Sequence, residues 1–375
     1  MTHDVLIIGS GMAGASLAAT LAPHRSVIVA EREDAHGYHT TGRSAALWIA
    51  SYGAAPIRAL TAAGRAFYDS PPSGFSDYPL LSPRGCLHIA SAVQLDALAA
   101  LETELAATGV EVRRVSGDAR RALVPVLRPE AVAAGLIEPA AADIDVNALH
   151  TGFLRAARTA GADLRLGAGV AALVREGDLW RATLATGEVL NAKVMVNAAG
   201  AWADAVAGMA GAAPLGLAPM RRTALILDPP TGVETAHWPA VIDVDEQFYF
   251  KPESGKLLAS PADETPSAAL DAAPDELDIA ICVDRIQSAA DIPVRRVVRA
   301  WAGLRTFAPD RIPVFGFDPA VPGFFWFAGQ GGYGIQIAPA AARLGAALAM
   351  NTGVPADIAA LGVTAETFSP RRFER

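Results

Sequence analysis

The sequence predicts an α/β chain, α+β overall, in which a parallel-sheet domain is completed by a second, mostly antiparallel β domain. Three observations predict it. Val5-Leu6-Ile7-Ile8 is an unbroken apolar run of the kind buried on both faces of a parallel sheet, and Phe324-Phe325-Trp326-Phe327-Ala328 is another. Each run passes straight into a glycine turn and an alanine-rich helical stretch. Between them, short β-like runs alternate with Pro, Asp and Gly turns.

In chain order, the 5–8 strand, the glycine turn and a helix through Leu21 lead to a second strand at 26–30, which is a βαβ opening. A proline-rich stretch, 70–83, precedes Cys86-Leu87-His88-Ile89-Ala90, read as a strand outside the first sheet. Residues 94–108 carry helical spacing and stop at Gly109, and Asp145 caps a helix over 146–160. Residues 163–174 and 180–196 alternate as strands, and Asn197-Ala198-Ala199-Gly200 returns the chain to the first sheet. Strand-like runs from 223 to 298 build the second domain; strand 324–328, the loop 329–334 and a helix to about Met350 follow. The expected division is 1–80, 140–222 and 299–375 for the first domain, with 81–139 and 223–298 for the second.

The 375 residues, 52% of them hydrophobic, suffice for a large core. A net charge of -8 without any basic run excludes nucleic acid as a partner. Cys86 and Cys282 are too few for a disulfide framework or thiolate metal site, which fits a reducing compartment. His36 and His39 have no third ligand nearby, so no metal site is expected. Met1-Thr2-His3-Asp4 lacks a cationic signal start, and no stretch approaches the roughly 18 to 20 apolar residues of a membrane span. The expected location is the cytoplasm.

Gly9-Ser10-Gly11-Met12-Ala13-Gly14 follows a strand and opens a helix, and Glu31 ends the next strand about twenty residues on. Gly9 permits the tight turn, Gly11 lets the backbone approach a diphosphate, and Gly14 lets helix and strand pack closely. The helix N-terminus then faces the anion. Glu31 can accept both hydroxyls of an adenosine ribose and would repel a 2′-phosphate, while Arg32 is an exposed charge or a cover for adenine. NAD and FAD share this turn. Two segments favour FAD: His39-Thr40-Thr41-Gly42-Arg43-Ser44-Ala45-Ala46 offers hydroxyls and small residues to a diphosphate and a flat ring, and the 329–334 loop can bring N–H groups to a flavin's pyrimidine edge.

With Asn197-Ala198-Ala199-Gly200-Ala201-Trp202, Trp301-Ala302-Gly303-Leu304-Arg305 and Gly331-Gly332-Tyr333-Gly334-Ile335-Gln336, these residues carry a resemblance. The chain resembles the D-amino-acid oxidase superfamily of FAD enzymes, most closely the bacterial D-arginine dehydrogenases. The resemblance implies a Rossmann-like FAD domain of the glutathione-reductase type, made of discontinuous segments, a β-sheet substrate domain and non-covalent FAD. Besides Gly9, Gly11, Met12, Gly14 and Gly200, it places flavin contacts on Ala13, Glu31, Arg32, Thr40, Thr41, Gly42, Arg43, Ser44, Ala45, Ala46, Leu47, Val170, Gly331, Gly332, Tyr333, Gly334, Ile335 and Gln336. Catalytic and substrate contacts fall on Tyr52, Arg222, Tyr249, Arg305 and Gly332. The implied reaction passes the α-hydrogen of a D-amino acid to the flavin as hydride, and the imino acid hydrolyses to a 2-oxo acid and ammonia. Oxygen or a quinone would take the electrons.

A guanidinium suits the substrate's carboxylate, because a bidentate pair fixes both position and rotation. Arg305 lies in an apolar run, where burial demands an anion; Arg222 is either a clamp or half of a solvated pair with Arg221. Tyr52 and Tyr249 would bond the same carboxylate or cover the pocket. Two positions depart from the arginine-specific pattern: Leu47 replaces a histidine, and Cys86, read as a small pocket wall, replaces the glutamate that holds a cationic side chain. Losing such a partner typically costs about 2 to 5 kcal/mol, so neutral or apolar side chains are expected over arginine and lysine. The alternatives are glycine, sarcosine, a D-proline derivative or a 2-hydroxy acid as substrate, or a catalytically silent flavin-binding partner protein.

Overall fold

The computed structural model describes residues 2–374 and contains two large sheets and one small one. In the first sheet Thr2–Ile8 is central, with Val27–Ala30 then Asp163–Arg165 on one side and Val189–Asn197 then Phe324–Ala328 on the other, all parallel. Val314–Phe317 pairs antiparallel with Phe324–Ala328, and the hairpin Val170–Glu176/Leu179–Leu184 extends the sheet beyond Val189–Asn197. The apolar runs are continuous because both faces are covered. Helices Met12–Leu21, Ala55–Asp69, Val146–Thr159 and Ala338–Ala349 cover one face, and Trp180, Phe324 and Trp326 fill the other.

Local signals act as expected at several ends. Gly109 adopts φ 76° after helix Leu95–Thr108, and the Asp145 carboxylate accepts the Ala148 N–H at 2.8 Å. The expected strand over 163–174 is two strands, because Gly167, at φ 60°, turns the chain between them. Helix Glu276–Ala289, capped by Asp275, was not anticipated within the β-rich stretch.

The second sheet is antiparallel except where Cys86–Ala90 runs parallel to Ala240–Asp243. Its longest ladder pairs Ala218–Leu227 with Val297–Phe307 from Ala218↔Phe307 onward. The expected borders at 222/223 and 298/299 therefore fall inside strands. A break there would sever a continuous ladder, and both Arg222 and Arg305 hang from the second sheet. A small sheet of Leu47–Trp48, Ala142–Ile144 and Leu81–Pro83 lies beside it.

The two-residue period of a strand separates the second sheet's two duties. Leu87, Val241, Phe250, Leu257 and Leu225 face a core shared with Cys282 and Ile286 of helix Glu276–Ala289. The alternate residues Cys86, His88, Ile242, Tyr249, Arg222 and Arg305 stand on the opposite face. No helix among the described residues is long and apolar enough to cross a membrane.

The Ala338–Ala349 helix approaches the first sheet closely at Gly345, where an added Cβ would sit 2.5 Å from the Phe327 ring and 3.3 Å from Leu17. Gly345→Ala is expected to overpack this contact and cost about 1–3 kcal/mol, read from the midpoint of urea unfolding. An unchanged midpoint would show that the helix can shift freely.

Candidate active site

One cavity of about 680 Å³ runs from the carboxyl ends of the first sheet's strands to the inner face of the second sheet. Its floor is the glycine turn. Gly9 has φ 100°, and a Cβ there would lie 2.6 Å from the Ala198 carbonyl; one on Gly14 would lie 1.9 Å from the Gly9 carbonyl oxygen. Neither position admits a side chain, which brings strand, turn and helix together. The first-turn N–H groups of Ala13 and Gly14 have no carbonyl four residues back within the helix, so they are open to an anion.

Ser10 is the buried hub of this turn. Its N–H and its hydroxyl each donate to the Glu31 carboxylate at 2.8 Å. The Arg158 guanidinium donates to His36 Nε2 at 3.0 Å, which puts the ring's proton on Nδ1, 2.8 Å from Ser10 Oγ. That proton leaves the hydroxyl free to donate to Glu31. His150 Nε2 donates to the Ser10 carbonyl at 2.8 Å. Thr41 accepts the Met12 N–H at 2.9 Å, and Thr40 donates to the Leu304 carbonyl at 2.6 Å, tying the turn to the second sheet. Trp202 flanks the far end of the cavity, with the exposed Arg32 guanidinium 4.5 Å from its ring centre.

At the other end the second sheet supplies Arg222, Tyr249 and Arg305, and the 51–53 segment supplies Tyr52. Arg305 donates to the Tyr52 hydroxyl at 3.3 Å, and no carboxylate forms an ion pair with it among the described residues. Gly332 lies directly against this pair: a Cβ there would be 2.8 Å from Tyr52 Oη and 2.9 Å from Arg305 Nη1. Burial by itself would lower the Arg305 pKa, but the Tyr52 and Tyr249 hydroxyls and the carboxylates of Glu246 and Glu264 outweigh it and hold the guanidinium charged. Arg222 is pushed the other way, by burial and by Arg305. It donates to the Asp263 carbonyl at 2.8 Å and to Glu264 at 3.2 Å. Burial raises the Tyr52 pKa, so its hydroxyl stays protonated.

The cavity wall thus brings together Gly9, Gly11, Met12, Ala13, Glu31, Arg32, Thr40, Thr41, Ser44, Ala45, Ala46, Leu47, Val170, Gly200 and Gly331, with Gly332, Gly334, Ile335 and Gln336. Five expected residues lie off it. Gly14 packs under Gly9, and Gly42 donates to the Gly37 carbonyl at 2.8 Å. Arg43 turns away to Asp271 and to the Ala272 and Ala302 carbonyls, while Tyr333 packs on Tyr52 and Phe307. Cys86, expected as a pocket wall, is fully buried behind it among Ile49, Ala141 and Ile242. Burial, then the nearby Glu138, push its thiol pKa well up, and neither reactivity nor contact with a ligand follows.

Sequence reasoning missed four residues that matter here: Ser51 and His88 on the wall, Glu138 behind it, and His150 under the turn. His88 was within reach, since it lies two residues beyond Cys86 and so shares its face of the strand. Glu138 stands opposite Cys86 in the ladder, and only the fold reveals that.

Three of these histidines resist protonation. Burial lowers the pKa of His36, helped by Arg158, and of His150; burial alone takes His88 down to about 4. Their folded values lie below the unfolded value near 6.5, so below it the unfolded chain binds more protons. Stability is expected to be fully present above about pH 6.5 and to fall as pH drops toward 4, with His88→Asn giving the shallower decline. Thermal unfolding across this range checks it, and a midpoint flat from pH 7 to pH 5 would contradict it.

Comparison with known proteins fits this geometry. Residues 4–348 match the family model described as FAD dependent oxidoreductase. The mitochondrial dimethylglycine dehydrogenase of Mus musculus is 28% identical over 233 residues, 57% of this chain but only 26% of that protein, so the chain matches about a quarter of its curated relative. Among solved structures, glycine oxidase from Geobacillus kaustophilus shares the fold at TM-score 0.82 and 22% identity, over 93% of this chain and 95% of that one. L-proline dehydrogenase from P. horikoshii does so at 0.80 and 21%, over 100% and 98%. Iminodiacetate oxidase from Chelativorans sp. BNC1 does so at 0.79 and 23%, over 98% of each chain. The turn without side chains, the open helix N-terminus and the cavity-facing Glu31 have the shape and chemistry to fit a diphosphate and a ribose. The chain belongs to the FAD-dependent oxidoreductase family, and FAD is its cofactor.

Proposed function

We propose that this protein oxidises a D-amino acid with a neutral side chain to the 2-oxo acid and ammonia. The observation that carries the reading is Arg305, a guanidinium enclosed by the fold, facing the cavity, with a hydroxyl as its partner and no carboxylate of its own. A half-buried charge that lines a cavity and has only a hydroxyl as direct partner favours an anion from outside. Arg222 and Tyr249 stand on the same face of the sheet, so a substrate carboxylate can be gripped from three strands.

Bound FAD supplies the hydride acceptor, and the chain's own residues supply orientation. Arg305, Arg222 and Tyr249 would fix the carboxylate and so restrict how the α-carbon can be presented to a flavin. Gly332, where no side chain fits, leaves the space beside Tyr52 and Arg305 open. Burial keeps the Tyr52 hydroxyl protonated and the His88 ring neutral near neutral pH, so neither brings a charge to the substrate's amine in that range. The resemblance to D-arginine dehydrogenases supports the D configuration. The neutral side chain is supported by a wall of Leu47, Ile49, Leu101, Ile242 and Val244; of the nearby acids, Glu246 is exposed at the rim and Glu138 lies off the wall, turned to the Ala50 and Ser51 N–H groups.

A second reading is oxidation of glycine or an N-substituted glycine, favoured by structural neighbours whose names give glycine and iminodiacetate as substrates. Anaerobic flavin reduction by a panel separates the two. D-leucine and D-asparagine are expected to bleach the flavin at least 100-fold faster than their L forms and faster than glycine, sarcosine, D-arginine or D-lysine. Arg305→Met is expected to lower kcat/KM by about 100-fold, the usual consequence of losing one partner of a buried charge pair. Faster reduction by glycine or sarcosine would establish the second reading. Faster reduction by D-arginine would refute the neutral pocket.

A further inference from the structure

Beyond the two arginines, the cavity follows one row of the second sheet, and that row ends in a polar pair. Ile242 stands in register with His88 on one side and Tyr249 on the other, so the three side chains share a face, and all three line the cavity. Leu47, Ile49, Leu101 and Val244 make the aliphatic part of the wall here, and His88 and Ser51 stand with Tyr52, Tyr249 and Glu246 as its polar part. His88 Nε2 lies 3.4 Å from Ser51 Oγ and 3.7 Å from Cys86 Sγ, both long for hydrogen bonds. Among the described residues no protein group pairs with its Nδ1. The residue is only 9% exposed and lines the cavity, so its ring carries hydrogen-bonding capacity that the fold leaves largely unused and open to a ligand.

Ser51 is held in place independently. The Glu138 carboxylate, fully buried, accepts the N–H groups of Ala50 at 2.7 Å and of Ser51 at 3.4 Å. Burial keeps the His88 ring neutral at physiological pH. A neutral imidazole donates from one nitrogen and accepts at the other, and it offers no charge to a carboxylate or an ammonium. A polar site of this kind discriminates against a ligand that cannot bond to it, because the site's own groups are then left dry and unpaired.

We propose that His88 and Ser51 form the side-chain selectivity site, and that the preferred substrate side chain is uncharged and ends in a hydrogen-bonding group, an amide or a hydroxyl. This rests on the reading of Arg305 as the carboxylate anchor, with the sheet row running outward from it. His88 touches the ligand's distal end and takes no part in hydride transfer. Cys86 acts only by leaving room behind the ring.

The test uses the flavin-loaded protein and needs no turnover. Succinamate and 4-methylpentanoate have the same shape and one carboxylate each, but only the first carries an amide; each is titrated while the absorbance of the bound flavin is followed. The wild-type protein is expected to bind succinamate at least 10-fold more tightly. His88→Leu should abolish or reverse the preference, His88→Asn should keep part of it, and Ser51→Ala should reduce it about 3-fold, all with flavin retained. Equal affinities in the wild type, or an undiminished preference in His88→Leu, would overturn the proposal. A succinamate preference in a protein whose flavin no D-amino acid reduces would refute the D-amino-acid reading and leave this site standing. An unchanged ratio of D-asparagine to D-leucine reduction in His88→Leu would do the opposite.

Discussion

A half-buried guanidinium that faces the cavity without a carboxylate in direct contact is the constraint around which the rest of the site is arranged. Arg305 sits near one end of the longest ladder in the second sheet, in register with Met220, and faces the cavity. A charge in that position is costly unless polar groups compensate it. Tyr52 gives it a hydroxyl, Gly332 gives it room, and Arg222, the neighbouring cation, is drawn off to Glu264 and the Asp263 carbonyl. Glu264 is shared in turn with Arg311. Glu246 and Glu264 support the Arg305 charge from a distance, but no carboxylate among the described residues pairs with it directly, and the cavity is where one can enter.

The sheet that carries Arg305 reconciles two demands through its period of two. One face must be apolar to bind helix Glu276–Ala289, and the other must carry polar groups into a cavity. Strand alternation meets both demands with no irregular backbone. The first sheet has no such division, since helices cover one of its faces and aromatic packing the other, so its chemistry is confined to the carboxyl ends of its strands. The cavity lies where those ends meet the polar face of the second sheet. Ser10 and Glu31 fix the first boundary of that meeting, and the Thr40 bond to the Leu304 carbonyl helps fix the second.

Much of this was legible in the residues. Runs such as Val5-Leu6-Ile7-Ile8 and Phe324-Phe325-Trp326-Phe327-Ala328 admit few readings, and Gly9, Gly14, Gly109 and Asp145 act through backbone rules that need no tertiary context. Helix Glu276–Ala289 was legible too: Asp275 caps it, and Ile279, Cys282, Val283 and Ile286 recur at helical spacing, but turn-rich neighbours masked the pattern. The division at 222 and 298 was not legible, because strands of ten and eleven residues cross it with no composition change. Cys86 shows the limit of transferring a position from relatives: the strand is as expected, yet the side chain stops short of the cavity and His88, two residues on, reaches it. Which residues of one face arrive at a wall depends on sheet twist and on what packs beside them, as Glu138 and Ser51 do here.

The central claim, that Arg305 waits for a carboxylate, is tested most directly by comparing two small ligands that differ only in charge. Propionate and propionamide can be titrated into the flavin-loaded protein and into Arg305→Met, with the bound flavin's absorbance as the readout. The expected result is that the wild type binds propionate at least 30-fold more tightly than propionamide and that Arg305→Met binds the two about equally, in line with the usual worth of a buried charge partner. Equal binding by the wild type, or a propionate preference that survives in Arg305→Met, would contradict it.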